Sequence, residues 1–310
     1  IFKTGTEKFT TENAIQTTVT AADGSFSFEK VPYGTWVIRE IESPKGYVLS
    51  EEEIAVTIGK VDEVVEIELV NYFIKGNIAL TKVDEDYPDN KLSGAVFEVY
   101  SDTNGDGKLD KDDTLLGEMK ELDGGVYQMS ELRYGKYLVK ETKAPTGFVL
   151  DEDVYAVSIE ENGKTYTVEN KAGVGFINAA QKGSLKIVKT SSDGKVEGFS
   201  FRVTGVDYDQ TFKTDKNGEI VIEGLRIGDY TVSEVSDKAS AGYILPADKQ
   251  ATVKVNATAI VQMHNEFRDT PKTGDDFNLG LWVSLAALSV VGAGVLGFVG
   301  YKNRKKKKED

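Results

Sequence analysis

The chain has 310 residues, 51 acidic against 37 basic, with no cysteine and one histidine, for a formal net charge of −14. That excludes a disulfide framework and a Cys/His zinc cluster, and leaves no conventional nucleophile–base pair. Residues 302–310 hold six cations and two carboxylates, so residues 1–301 carry −18. So acidic a surface argues against nucleic acid as a partner and suits a solvated, self-repelling cell exterior.

Internal repeats organise the first 268 residues. Gly34-Thr35-Trp36-Val37-Ile38-Arg39-Glu40 returns as Gly135-Lys136-Tyr137-Leu138-Val139-Lys140-Glu141 and as Gly228-Asp229-Tyr230-Thr231-Val232-Ser233-Glu234. Gly76 and Gly183 each precede a lysine, Lys82 and Lys189, by six positions. An alternating strand closes each unit on an asparagine: Asn71, Asn178 and Asn265. The distance from the glutamate to that asparagine is 31, 37 and 31 residues. These phrases divide the chain into units at 1–74, 75–182 and 183–268, with residues 269–310 as a separate C-terminal segment.

Within each unit, short runs rich in Val, Ile, Tyr and Thr alternate with turn clusters such as Ala22-Asp23-Gly24, Asp123-Gly124-Gly125 and Asp215-Lys216-Asn217-Gly218. No long stretch with a helical apolar period precedes residue 277. The spacing predicts an all-β fold of tandem, immunoglobulin-like sandwiches, each of seven strands. Linkers are almost absent, which suits a stalk.

The phrase from Tyr137 to Phe148, Tyr-x-x-x-Glu-Thr-x-Ala-Pro-x-Gly-aromatic, resembles the Cna B-type, or SpaA-like prealbumin-fold, domains of Gram-positive adhesins and pilins. The resemblance covers nearly all of residues 1–268 and implies prealbumin-like sandwiches. The third unit departs from it between Ser236 and Tyr243, where the proline is missing and the turn is longer. Ile1-Phe2 aligns with Val99-Tyr100, so the first unit is expected to begin at its second strand, with its lysine strand upstream.

Strand alternation sets Lys82 on one face with Ile78 and Leu80, and Lys189 with Leu185 and Ile187. Glu141 and Glu234 share faces with Tyr137 and Tyr230, and Asn178 and Asn265 with Phe176 and Met263. Each of these units therefore aims a lysine, a glutamate and an asparagine into its core. Burial lowers the amine pKa and raises the carboxyl pKa, so both can be neutral. A neutral amine is a nucleophile, and a protonated glutamate can hydrogen-bond the asparagine carbonyl and relay protons as ammonia leaves. The product is a Lys–Asn amide, and the family resemblance implies the same intramolecular isopeptide bond. The first unit keeps Glu40 and Asn71 as an incomplete triad. His264 alternates out of phase with Met263 and Asn265 and is read as a surface residue.

The second unit carries an insertion, Asp102-Thr103-Asn104-Gly105-Asp106-Gly107-Lys108-Leu109-Asp110-Lys111-Asp112-Asp113. Asp102, Asn104, Asp106, Asp110 and Asp113, with the Lys108 carbonyl, match the ligand spacing of an EF-hand loop, with Asp113 in place of the bidentate Glu. The pattern predicts an optional Ca²⁺ site; an acidic hairpin tip shaped by turn chemistry is the alternative.

At the C-terminus, Thr270-Pro271-Lys272-Thr273-Gly274 precedes 25 uncharged residues from Phe277 to Tyr301, then the basic run Lys302 to Lys308. A helix over 277–301 is long enough to cross a hydrocarbon core of about 30 Å, and the cations after it hold a tail on the cytoplasmic side. Motif, span and tail in this order resemble the LPXTG-type cell-wall sorting signal, although Thr270 stands where Leu is commonest. The resemblance implies that a sortase cuts between Thr273 and Gly274. The new carboxyl would be joined to peptidoglycan or to another pilin subunit, after a stage as a single-pass membrane precursor. An exported protein needs a signal peptide, and Ile1-Phe2-Lys3 does not begin one, so the chain is expected to lack N-terminal domains.

The reading is a wall-anchored surface protein, not an enzyme beyond its own cross-linking, whose stalk presents an N-terminal region to a host or matrix ligand. A sortase-polymerised pilin subunit and the stalk of a wall-anchored enzyme are the alternatives.

Overall fold

The computed structural model describes residues 1–268, and every regular element among them is a β-strand. Among these residues no helix is long and apolar enough to cross a membrane. The sorting motif at 270–274, the expected span at 277–301 and the basic tail at 302–310 lie outside the described residues. The described chain gathers into two compact units. One holds Ile1–Ser184 with Glu223–Gly228 and Thr252–Thr258, and the other holds Leu185–Ile222, Asp229–Ala251 and the residues from Ala259 on.

Residues 75–178 form two sheets from nine strands: β4 (Lys75–Asp84), β5 (Val96–Ser101), β6 (Thr114–Glu118), β7 (Lys120–Glu121), β8 (Val126–Arg133), β9 (Gly135–Lys143), β10 (Val154–Ile159), β11 (Thr165–Thr167) and β12 (Phe176–Asn178). One sheet runs β10-β9-β5-β6; in the other, β4 lies between β8, antiparallel to it, and the short strands β11 and β12, both parallel to it. Ile78, Leu80 and Tyr127 of this second sheet pack against Phe97, Val99, Val139 and Ile159 of the first. Burying these side chains, at roughly 1.5–3 kcal/mol each, is what presses the sheets together.

Seven strands were expected from the turn spacing. The excess comes from two interruptions. The run Thr114–Glu121 changes sheets at Met119, whose amide donates to the Phe97 carbonyl at 2.8 Å, so that β6 pairs with β5 while β7 pairs with β8. The closing run is broken in turn into β11 and β12.

Eight strands follow: β13 (Lys182–Ser191), β14 (Ser200–Gly205), β15 (Tyr208–Lys213), β16 (Glu219–Arg226), β17 (Gly228–Val235), β18 (Tyr243–Ile244), β19 (Lys249–Val253) and β20 (Thr258–Phe267). Their sheets run β16-β13-β20-β18 and β15-β14-β17-β19. Here the closing strand β20 is continuous, and the extra strand is β18, which pairs Tyr243 with Phe267.

Residues 1–74 hold a single sheet of β1 (Phe2–Lys3), β2 (Gly34–Ile38) and β3 (Ile54–Ile58). Phe2 pairs with Val37 as Tyr100 pairs with Leu138, the register implied by aligning Ile1-Phe2 with Val99-Tyr100.

The glycines at the start of the two long central strands answer to a close approach. A Cβ on Gly76 would lie 2.8 Å from the Lys164 carbonyl oxygen, and one on Gly183 only 2.2 Å from that of Lys254. Both obstacles are backbone, which cannot swing aside. Gly76→Ala and Gly183→Ala should therefore each destabilise by about 1–3 kcal/mol or more in denaturant unfolding. Gly59→Ala, whose Cβ would meet nothing closer than a Glu63 carboxylate oxygen at 3.8 Å, should leave the midpoint nearly unchanged.

Candidate functional site

The alternation of β4 carries Lys82 to the interior. Gly76, Ile78, Leu80 and Lys82 are buried, while Asn77, Ala79 and Thr81 between them are half-buried. Lys82 is 0% exposed. Its ammonium donates to the Phe176 carbonyl at 2.9 Å and lies 5.3 Å from the Phe176 ring centroid. Phe176 stands directly across from Lys82 on β12, which places Asn178 one diagonal step further on the same face. Glu141 reaches in from β9, on the opposite sheet. The three residues thus meet between the sheets, with Glu141 fully buried and Asn178 nearly so.

The Asn178 amide nitrogen donates to both Glu141 oxygens, at 3.0 and 2.8 Å, and the Asp151 backbone N–H donates to Oε2 at 2.8 Å. Desolvation outweighs the attraction of Glu141, Asp151 and Asp84 and brings the Lys82 pKa down to about 8. Desolvation also raises the Glu141 pKa against the Asp151 and Asn178 hydrogen bonds and the Lys82 charge. The two shifts bring amine and carboxyl toward the neutral pair.

The same constellation recurs in the third repeat. Lys189 on β13 is 1% exposed, with its ammonium 4.1 Å from the Phe199 ring centroid and hydrogen-bonded to the Thr190 carbonyl. Asn265 on β20 is fully buried and donates to Glu234 Oε1 at 2.7 Å. Burial lowers the Lys189 pKa and raises that of Glu234. In the first repeat, Asn71 donates to Glu40 Oε2 at 2.7 Å, and the Ser50 N–H donates to the same oxygen at 2.7 Å.

One detail differs from the sequence reading, which set the glutamate against the asparagine carbonyl. The amide nitrogen faces the carboxylate instead, and the carbonyl oxygens are left over. Among the described residues, the buried side-chain polar atoms with no hydrogen-bond partner are Asn178 Oδ1, Asn265 Oδ1 and Glu234 Oε2, all of them in the two triads. An orphaned buried polar atom costs about 1–3 kcal/mol. A half-turn of the amide, with the glutamate protonated, gives Oδ1 a donor and removes that cost.

Sequence reasoning missed the backbone donor. Ser50 and Asp151 each lie ten residues after their glutamate, a spacing that was available as a signal. In the third repeat the longer turn at 236–243 intervenes, and Glu234 Oε2 has no partner.

His264 is exposed as expected, between the Thr190 hydroxyl at 2.8 Å and Glu266 at 3.1 Å. The insertion at 102–113 is closed by its own backbone. Asp102 accepts from the Gly105 and Gly107 amides, Asn104 from Asp106, Asp106 from Lys108, Asp110 from Asp112, and Asp113 from Thr103 and Asp110. Its oxygen donors suit a hard cation in kind. Yet no three acidic or histidine side chains among the described residues are gathered as a metal-holding group.

Comparison with known proteins places this chain in a family. The model of the SpaA prealbumin-like fold domain matches residues 1–72, 76–172 and 183–267. Among solved structures, the Bacillus anthracis TIE protein is similar at 27% identity with a TM-score of 0.64, over 84% of this chain and 46% of that one. The chain therefore spans less than half the length of that relative. GBS52, the minor pilin of Streptococcus agalactiae, matches at 17% identity and a TM-score of 0.30, over 64% of this chain and 99% of that one. A streptococcal ancillary pilin matches at 19% and 0.28, over 77% of this chain and 76% of that one. Both pilin likenesses are too weak to carry structure or function. No curated protein sequence matches. With three matched stretches that together make up most of its length, the chain belongs to the SpaA family of prealbumin-like fold domains.

Proposed function

We propose that this chain is the stalk of a cell-wall-anchored surface protein whose second and third repeats cross-link themselves, Lys82 to Asn178 and Lys189 to Asn265. The observation that carries the reading is the Lys–Glu–Asn cluster, present twice, with its lysine and asparagine buried in both and with the unpartnered buried polar atoms among the described residues confined to it. Removing an amine and a carboxylate from water costs several kcal/mol per ion. The cost makes sense as preparation for a reaction.

In that reaction the neutral Lys82 amine adds to Asn178 Cγ, and the carbonyl oxygen takes its hydrogen bond from protonated Glu141. Glu141 relays a proton from the new C–N bond to Nδ2, which leaves as ammonia. Glu234 does the same for Lys189 and Asn265. Covalent anchoring through Thr270–Gly274 completes the proposal. It rests on the order of motif, apolar run and basic tail in the sequence. Presentation of an N-terminal region to a host or matrix ligand belongs to the same reading.

The cross-links are countable. Intact mass of the folded protein should fall short by two ammonia masses, and Glu141→Ala should restore one while leaving the third repeat linked. By analogy with a disulfide closing a loop of about 100 residues, losing the second-repeat bond should also cost roughly 4–5 kcal/mol of stability. A full unmodified mass for the wild type would falsify the chemistry.

The reactive pair holds one proton between amine and carboxyl, which sets the pH profile. Below the raised Glu141 pKa a second proton arrives and removes the free amine. Above about pH 8, where Lys82 titrates, the last proton leaves and removes the acid. Ammonia loss from freshly folded protein, followed by mass, should therefore be bell-shaped in pH. A rate that keeps climbing above pH 8 would rule out Glu141 as the acid.

Anchoring is tested in a sortase-competent Gram-positive host. Replacing Thr273 or Gly274 should move the protein from the wall fraction to the membrane or the medium. Unchanged wall linkage in both variants would contradict the sorting proposal.

A further inference from the structure

Asp84 is a buried carboxylate that the cross-linking scheme leaves unused. It lies two residues after Lys82 on β4, hence on the same face, and stands directly across from Asn178 on β12. It is 2% exposed. Left to itself at this place a carboxylate is a rival to Asn178, because it attracts the Lys82 ammonium and offers its oxygens as acceptors. Both effects hold the amine in its charged, unreactive form. The corresponding position of the third repeat, two residues after Lys189, is Ser191.

An arginine 142 residues further along the chain meets this carboxylate. Arg226 ends β16 and belongs, with Glu223–Gly228, to the same compact unit as Asp84. Its guanidinium grips Asp84 as a fork, Nη1 donating to Oδ2 at 2.6 Å and Nη2 to Oδ1 at 2.8 Å, and Nη2 also reaches Asp86 at 3.0 Å. The Asp86 backbone N–H donates to Asp84 Oδ1 at 2.9 Å. A bidentate pair of this kind is fixed in geometry as well as in charge. Desolvation works to raise the Asp84 pKa, but the Arg226 hydrogen bonds and charge, with the Asp86 N–H, hold it below its ordinary value. The carboxylate is therefore anionic and already matched.

The other carboxylates that act on Lys82 are Glu141, the acid itself, and Asp151. Asp151 is occupied as well: Tyr155 and Asn170 donate to its Oδ2 at 2.8 and 2.7 Å, and the Asp153 N–H donates to Oδ1 at 2.9 Å. Lys82 itself donates to a neutral acceptor, the Phe176 carbonyl.

We propose that Arg226 is a positioning residue for the second repeat's cross-link: its fork occupies both Asp84 oxygens and so leaves the Lys82 amine to Asn178. This rests on the cross-linking reading. The chemistry is the one already written, in which Nζ–Cγ forms, Cγ–Nδ2 breaks and the nitrogen departs as ammonia. Arg226 acts on it through Asp84, by cancelling a charge. The bond is thereby tied to a segment outside the repeat that it closes.

The test uses the full chain, freshly folded at a series of pH values, with ammonia loss followed by intact mass and each bond located by peptide mapping. The Lys189–Asn265 bond is the internal reference. Arg226→Gln should slow the Lys82–Asn178 bond about tenfold or more, as an unmatched neighbouring carboxylate reduces an amine's neutral fraction, and leave the reference bond at its wild-type rate. It should also move the alkaline limb of the second repeat's profile to higher pH, since the unmatched anion holds the proton on Lys82. Asp84→Asn should not slow the bond, and Arg226→Gln combined with Asp84→Asn should recover both rate and limb. The double variant separates charge from structure, because loss of a mere clamp would leave it as slow as Arg226→Gln. A wild-type rate in Arg226→Gln, or a slow double variant, would overturn the proposal. If Arg226→Gln fails to fold and loses the reference bond too, Asp84→Asn decides alone, and a slowed second-repeat bond there would overturn the role. Both bonds in the wild type with no effect of Arg226→Gln means that this inference alone has failed. Neither bond in the wild type means that the cross-linking reading has failed and this one with it.

Discussion

An amine and a carboxyl buried together between two apolar sheets is the condition on which the rest of this structure turns. The strand that supplies the lysine is ten residues long in both repeats, and buried hydrophobic residues share the interior with the pair: Ile78, Leu80, Phe97 and Phe176 in the second repeat, Ile187, Phe199 and Phe201 in the third. The dry surroundings make charge expensive, and so push the lysine and the glutamate toward the neutral forms. The sandwich therefore does more than hide a sticky face. It sets protonation states.

Much of this was legible in the amino-acid order because the repeats test one another. Lys82 and Lys189 sit six residues after glycines that the fold presses against backbone, and strict alternation puts each lysine on the buried face. His264 was legible by the same alternation. The strand count was not, because residues 114–121 look continuous, yet Met119 still donates to the Phe97 carbonyl of β5 while Lys120 and Glu121 pair with β8 in the other sheet, a choice made by tertiary pairing. The orientation of Asn178 was not either, since a side-chain amide answers to its local partners. The insertion at 102–113 shows the same limit: spacing gave the oxygens, but which of them face each other depends on how backbone amides compete for them.

The first repeat shows how little local propensity decides on its own. Its β2–β3 pairing keeps the register of β9–β10 in the second repeat, yet the segments that correspond to β8 and β12 remain outside any sheet. Propensity alone does not make Phe26, Phe28, Ile67 and Leu69 into strands.

Because β12 lies parallel to β4, the strand that opens the second repeat and the one that closes it run side by side in the same direction. A pull on the two ends of the repeat loads that pair in shear. Without a covalent link, the chain between Lys82 and Asn178, on the order of 100 residues, could pay out about 300 Å of slack at roughly 3.4 Å per residue. A bond at that point takes the slack out of reach. Such a repeat has no yield length and absorbs no shock by unravelling, so a sudden tug reaches whatever is tied to each end undiminished.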